Sequence, residues 1–148
     1  VTDDLVAFLR ARLDEDEQVA QATTAGPWWH EPRKQWLAPG AFERYDLAQG
    51  EEFVGYGQSP LSGCIAATGP ADDQQSMADA RHIARHDPAR VLAEVAAKRD
   101  VIRLAERAHD YHATFLSGFA AAMEDALRKF ALAYADHPDY RPEWAPGA

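Results

Sequence analysis

Residues 52–68 read EFVGYGQSPLSGCIAAT, and they decide the fold. Runs 52–56 and 64–68 are short, carry aromatic or β-branched residues, and are separated by turn formers at 60–63. That is the pattern of strands, not of a helix. Upstream, 42–47 reads the same way, Gln49-Gly50 supplies another turn, and Trp28-Trp29-His30 can start a strand. The expectation is a small antiparallel sheet of three or four strands within 26–70, with 33–40 as an exposed loop.

Outside this block the chain reads as helix. Over 3–24, Leu5, Phe8, Leu9 and Leu13 recur at helical spacing. Thr2 suits the N-cap, and Asp3 and Asp4 suit the positive end of the helix dipole. Asp14-Glu15-Asp16-Glu17 reads as a solvated face, and Gly26-Pro27 ends the element. A second helix is expected over 74–86. Asp87 then caps a third, with Pro88 at its first position, where no amide donor is needed.

From Pro88 to Asp136 the sequence holds no further proline and one glycine, Gly118. Ile102, Ala105, His109, His112, Leu116, Phe119, Met123, Ala126, Phe130 and Ala133 alternate three and four apart, a heptad-like seam. Unbroken, residues 88–135 would span about 70 Å at 1.5 Å per residue. So small a chain cannot cover such a helix; it breaks near 110–114 or at Gly118, or pairs with a second copy. The Pro-punctuated end, with Tyr140 and Trp144, is expected to fold back onto a helix. The expected architecture is α+β in one domain, 1–148: helix at 1–25, small sheet at 26–70, helical region at 71–136 with long C-terminal helices, and a Pro-rich tail at 137–148.

The 148 residues carry 24 acidic and 15 basic side chains, a net charge of −9. That balance disfavours nucleic acid, bound by neutralising phosphates, and docking on an anionic membrane surface. The charge is uneven. Residues 1–24 hold six acids against Arg10 and Arg12, whereas 81–107 hold seven bases against four acids. A local basic stripe is thus open to an anionic partner, and an acidic first helix can pack beside a basic third one. Cys64, the single cysteine, excludes an intrachain disulfide and fits a reducing compartment. With no secretory pattern at Val1-Thr2-Asp3-Asp4 and no apolar run of spanning length, a cytoplasmic location is expected.

Three constellations bear on chemistry. His82 and His86 share a helix face, but Arg81 and Arg85 crowd the same turn with positive charge and disfavour a cation; interaction with the helix dipole and Asp87 is the plainer reading. His109 and His112 fall on the apolar seam. They read as a polar layer between helices, as an exposed break in the helix, or, with Glu106 three residues before His109, as half of a bundle metal site that a homodimer would complete. Trp28-Trp29-His30-Glu31 reads as core aromatics or as a ligand platform. The binding candidates are therefore Trp28, Trp29, His30, His82 and His86, and the metal candidates Glu106, His109 and His112. No phosphate-loop, dinucleotide-binding or nucleophile-elbow motif is present, no cofactor is expected, and Cys64, in a strand, reads as an inert thiol.

Three blocks resemble a known family. They are residues 3–19 (DDLVAFLRARLDEDEQV) with Gly26-Pro27-Trp28, residues 79–92 (DARHIARHDPARVL), and residues 134–144 (YADHPDYRPEW). Together they resemble an actinobacterial family of short proteins catalogued as a domain of unknown function, often near mobile elements. The His-Ile-Ala-x-x-Asp-Pro core is also similar to small phage accessory proteins. Many family members carry a cysteine-bearing insert where this chain has residues 100–130 without cysteine. The resemblance implies no reaction. The leading expectation is a non-enzymatic cytoplasmic interaction or accessory protein, of mobile-element origin, working as a homodimer with a protein partner and away from membranes. The alternative is a small metal- or ligand-binding enzyme on the C-terminal helices; the third reading is an acidic mimic of nucleic acid.

Overall fold

The computed structural model describes residues 3–32, 50–57, 63–110 and 117–145, leaving out the side chains at 109, 110 and 117. Among these residues four helices and a three-stranded antiparallel sheet make an α+β protein. In chain order these are α1 (Asp3–Ala22), β1 (Trp28–Trp29), β2 (Glu51–Tyr56), β3 (Gly63–Pro70), α2 (Gln74–Arg85), α3 (Pro88–Asp110) and α4 (Ser117–Ala131). Two 3-10 turns follow, Leu132–Tyr134 and Pro142–Trp144. The strand expected at 42–47 lies outside the described residues. Among them no helix is long and apolar enough to cross a membrane. The chain forms two compact units, Val1–Gln18 with Ala93–Ala148, and Val19–Leu92.

In the first unit the core is the apolar stripe of α1, with Leu5, Val6, Phe8, Leu9 and Leu13 buried, together with Val95, Ile102, Ala105 and Ala108 of α3, Leu127 and Ala131 of α4, and Trp144. Phe8 anchors the chain end: its ring centroid lies 4.9 Å from Trp144, 6.1 Å from Tyr140 and 6.4 Å from Tyr134. The tail therefore folds back on a helix, as its two aromatics suggest. Arg12, buried despite its charge, lies over the Phe8 ring at 5.3 Å and donates to the His137 ring at 2.6 Å and to Glu15 at 2.8 Å. The charge asymmetry is satisfied here too. Arg99 of α3 donates to Asp14 at 2.6 Å and to Glu17 at 2.7 Å on α1, and Arg10 to Glu106 at 2.7 Å.

The seam behaves differently along its length. Ile102 and Ala105 are among the most buried residues, but α3 ends at Asp110, inside the expected break. On α4 the buried positions are Leu127 and Ala131, while Phe119 is 44% exposed. On α4 the buried face is therefore the one through Leu127 and Ala131, not the one the heptad spacing through Phe119 gives.

In the second unit β2 is central, paired with β1 and β3. Trp28 faces Tyr56 and Trp29 faces Gly55. The register between β2 and β3 shifts twice, and the extra residues, Ile65 and Thr68, lie on β3, so alternation along β2 survives. Gly55 is needed as glycine: a Cβ there would come within 2.5 Å of the Trp29 ring. Helix α2 packs on all three strands through its small buried residues Ser76 and Ala80. Asp73 caps it, accepting from the Ser76 N–H at 2.9 Å. Asp87 does the same for α3, accepting from the Arg90 N–H at 3.0 Å, as Asp87-Pro88 implies.

Three carboxyls are held below the usual carboxylate range: Glu17 chiefly by the Arg99 hydrogen bond, Asp73 chiefly by the Ser76 backbone N–H, and Glu124 chiefly by Arg128. Each binds a proton less readily folded than unfolded. Their contribution to stability is complete above the ordinary carboxylate pKa of about 4–4.5. It is lost as pH falls through that value and on through the lower folded values. The thermal midpoint is therefore expected to drop between pH 5 and pH 3, and an unchanged midpoint over that interval would refute this accounting.

Candidate functional site

The site is built in the second unit, from β1 and the residues just after it on one side and the last turns of α2 on the other. Trp28, Trp29, His30, Pro32, Arg81, Ala84 and Arg85 line an open groove of about 370 Å³. The antiparallel register explains the wall. With Trp28 opposite Tyr56 and Trp29 opposite Gly55, the next residue, His30, comes level with Val54 and diagonal to Glu52. Alternation puts Phe53 and Gly55 on one face of β2 and Glu52 and Val54 on the other. The Trp29 ring meets Phe53 edge-on at 5.7 Å. His30 Nε2 meets Glu52 Oε1 in a pair whose side chains are 4% and 0% exposed.

The ring N–H groups of both indoles are already used. Trp28 Nε1 donates to the Thr24 carbonyl at 2.9 Å, and Trp29 Nε1 to the Gly57 carbonyl at 3.0 Å. The Trp28 backbone N–H is directed at Asp87 Oδ2 at 3.4 Å. These bonds fix both rings, and along β1 the side chains alternate, Trp29 on the Phe53 face and Trp28 with His30 on the other.

Opposite them, Arg81 and Arg85 stand one helical turn apart, both exposed. Among the described residues no carboxylate pairs with either. Like charges at this spacing disfavour the helix by a few tenths of a kcal/mol. The dipole at the helix C-terminus offsets this for Arg85, in the last turn, better than for Arg81. A second hollow, about 250 Å³ in the first unit, is lined by Arg10, Asp14, Arg99, Ile102 and Arg103. Its arginines are all neutralised, by Glu106, by Asp14 and Glu17, and by Asp100. Of these two hollows, the groove beside α2 is the one whose arginines have no carboxylate partner among the described residues.

Of the sequence candidates, Trp28, Trp29 and His30 come together here. His82 and His86 do not line the groove; their rings stack on each other at 4.4 Å, and His86 Nδ1 bonds the His82 carbonyl at 2.8 Å. Glu106 is engaged by Arg10. The His109 side chain and all of His112 lie outside the described residues. Among the described residues no group of three or more His, Cys, Asp and Glu is placed to hold a metal ion. Cys64, on β3, has its thiol pushed up chiefly by burial, which keeps it protonated at neutral pH and fits the inert reading.

Sequence reasoning misses Glu52, Arg81 and Arg85 as site residues. For the arginines a signal exists: they are two bases four apart on a helix, and no acid stands three or four residues from either. Those neighbouring positions hold Met77, Ala78, His82, Ala84, Pro88 and Ala89. For Glu52 the signal is a carboxyl at the head of an apolar run, in line with Phe53 and Val54. A family described as a family of unknown function (DUF6221) matches residues 2–146. No curated protein and no solved structure matches the chain.

Proposed function

The chain belongs to that family of unknown function, and from its own geometry we propose that it is a non-enzymatic binding protein whose second unit holds an anionic ligand or partner group at the groove beside α2. One observation carries this reading: Arg81 and Arg85 face an aromatic wall, and among the described residues no carboxylate neutralises them. Guanidinium groups present planar donor forks that match phosphate and carboxylate oxygens. The accessory role for a mobile element, the actinobacterial source, the phage-protein similarity, the cytoplasmic location and the homodimer belong to the same proposal and rest on the sequence.

Titration calorimetry of the intact protein with sodium pyrophosphate and with a glutamate-rich peptide tests it. Saturable binding of at least one is expected, weakened at least tenfold in an Arg81→Ala/Arg85→Ala variant. Added salt should weaken it as well, because exposed charges are screened. Binding that is absent, or undiminished in the variant, overturns the reading.

A further inference from the structure

We propose that the groove takes a mononucleotide-like ligand, a flat heteroaromatic ring against Trp28 and one phosphate at Arg81 and Arg85. This rests on the anion-binding reading above and names its ligand class.

Three features of the groove select that chemistry. First, the wall is aromatic but poor in donors. The indole N–H groups of Trp28 and Trp29 are spent on the Thr24 and Gly57 carbonyls, and His30 Nε2 is spent on Glu52. What Trp28 has left for a ligand is ring surface, which suits stacking, a contact every nucleobase can make. Second, the opposite side carries two guanidiniums one turn apart, with Cβ atoms about 5–6 Å from each other. That spacing lets both reach the oxygens of one phosphate. Third, the groove, at about 370 Å³, is of small-ligand size.

The same features argue against a longer strand. A net charge of −9 repels an extended polyanion, whereas one phosphate needs only the local charge of two arginines. Trp28 and Arg81 thus have separable roles. The ring supplies affinity for the base, and the guanidiniums supply affinity for the phosphate.

Calorimetric titration of the intact protein with AMP, UMP, adenosine, ribose 5-phosphate, a phosphotyrosine peptide and a ten-residue oligodeoxythymidylate separates the outcomes. AMP or UMP is expected to bind at least tenfold more tightly than ribose 5-phosphate or adenosine. Arg81→Ala/Arg85→Ala should abolish binding of nucleotide and sugar phosphate alike. Trp28→Leu should reduce AMP to the affinity of ribose 5-phosphate while leaving the sugar phosphate unchanged, and that retained binding shows that the groove still forms. Nucleotides that bind no better than ribose 5-phosphate, or less well than the phosphopeptide or the oligonucleotide, overturn the ligand class. If pyrophosphate still binds in an Arg81- and Arg85-dependent way, the anion reading survives that result. If no anion does, both fall.

Discussion

Replacing His30 with alanine is expected to cost about 3 kcal/mol of folding stability, a large share of the whole. Its partner Glu52 is fully buried, with 0% of its side chain exposed, and sits mid-sheet between β1 and β3. Removing the imidazole leaves a carboxyl in a low-dielectric site without the group that meets Oε1. Removing one member of a buried pair costs more than removing both. A His30→Ala/Glu52→Leu double variant should therefore recover much of the loss. Urea unfolding, followed by tryptophan emission, measures both. A single variant within 1 kcal/mol of the parent, or a double variant worse than the sum of the two single substitutions, contradicts this account of the pair.

Trp144→Ala is expected to cost about 3–5 kcal/mol, the usual range for deleting a buried aromatic side chain. Trp144 is 4% exposed, and its ring lies 4.9 Å from Phe8 and 5.8 Å from Tyr140. In the backbone it sits in the short turn Pro142–Trp144, whose Glu143 carbonyl accepts from Arg128 of α4 at 2.9 Å, so its place depends on side-chain contact. Phe8→Ala should cost a similar amount. Combining the two should reveal a coupling of about 0.5–1.5 kcal/mol from the aromatic contact itself. Strict additivity in that cycle would contradict the aromatic coupling, and a Trp144→Ala variant as stable as the parent would show that Trp144 adds nothing to the first unit.

These two side chains differ in how far the sequence reveals them. Trp144 is legible: an aromatic in a Pro-punctuated tail has little to do but fold back, and Phe8 lies on an apolar stripe ready to receive it. The His30–Glu52 pair is not. In the sequence His30 stands out only as a neighbour of two tryptophans, and Glu52 looks like the polar edge of a strand. Their meeting depends on strand register, Trp28 to Tyr56 and Trp29 to Gly55, and a one-residue slip would turn the glutamate to the other face. The groove follows the same logic. In the sequence Arg81 and Arg85 register only as charges that discourage a metal at His82 and His86. The packing of α2 against the sheet sets them beside Trp28 and leaves the histidines to one side.

The kind and order of elements can be read from local runs of residues: α1 from its apolar stripe, β2 and β3 from residues 52–68, and the start of α3 from Asp87-Pro88, while the end of α3 is left open between residues 110–114 and Gly118. Those features are written in periodicity, capping and turn chemistry within a few residues. Three-dimensional packing was needed to bury Glu52 against His30, to bury Leu127 and Ala131 of α4 while exposing Phe119, and to place two arginines in a groove with two tryptophans. Each is a contact between residues distant in the chain or the choice of the helix face that is buried. Such contacts are fixed by strand register and by which helix face meets the core, and neither is encoded in a local run of residues.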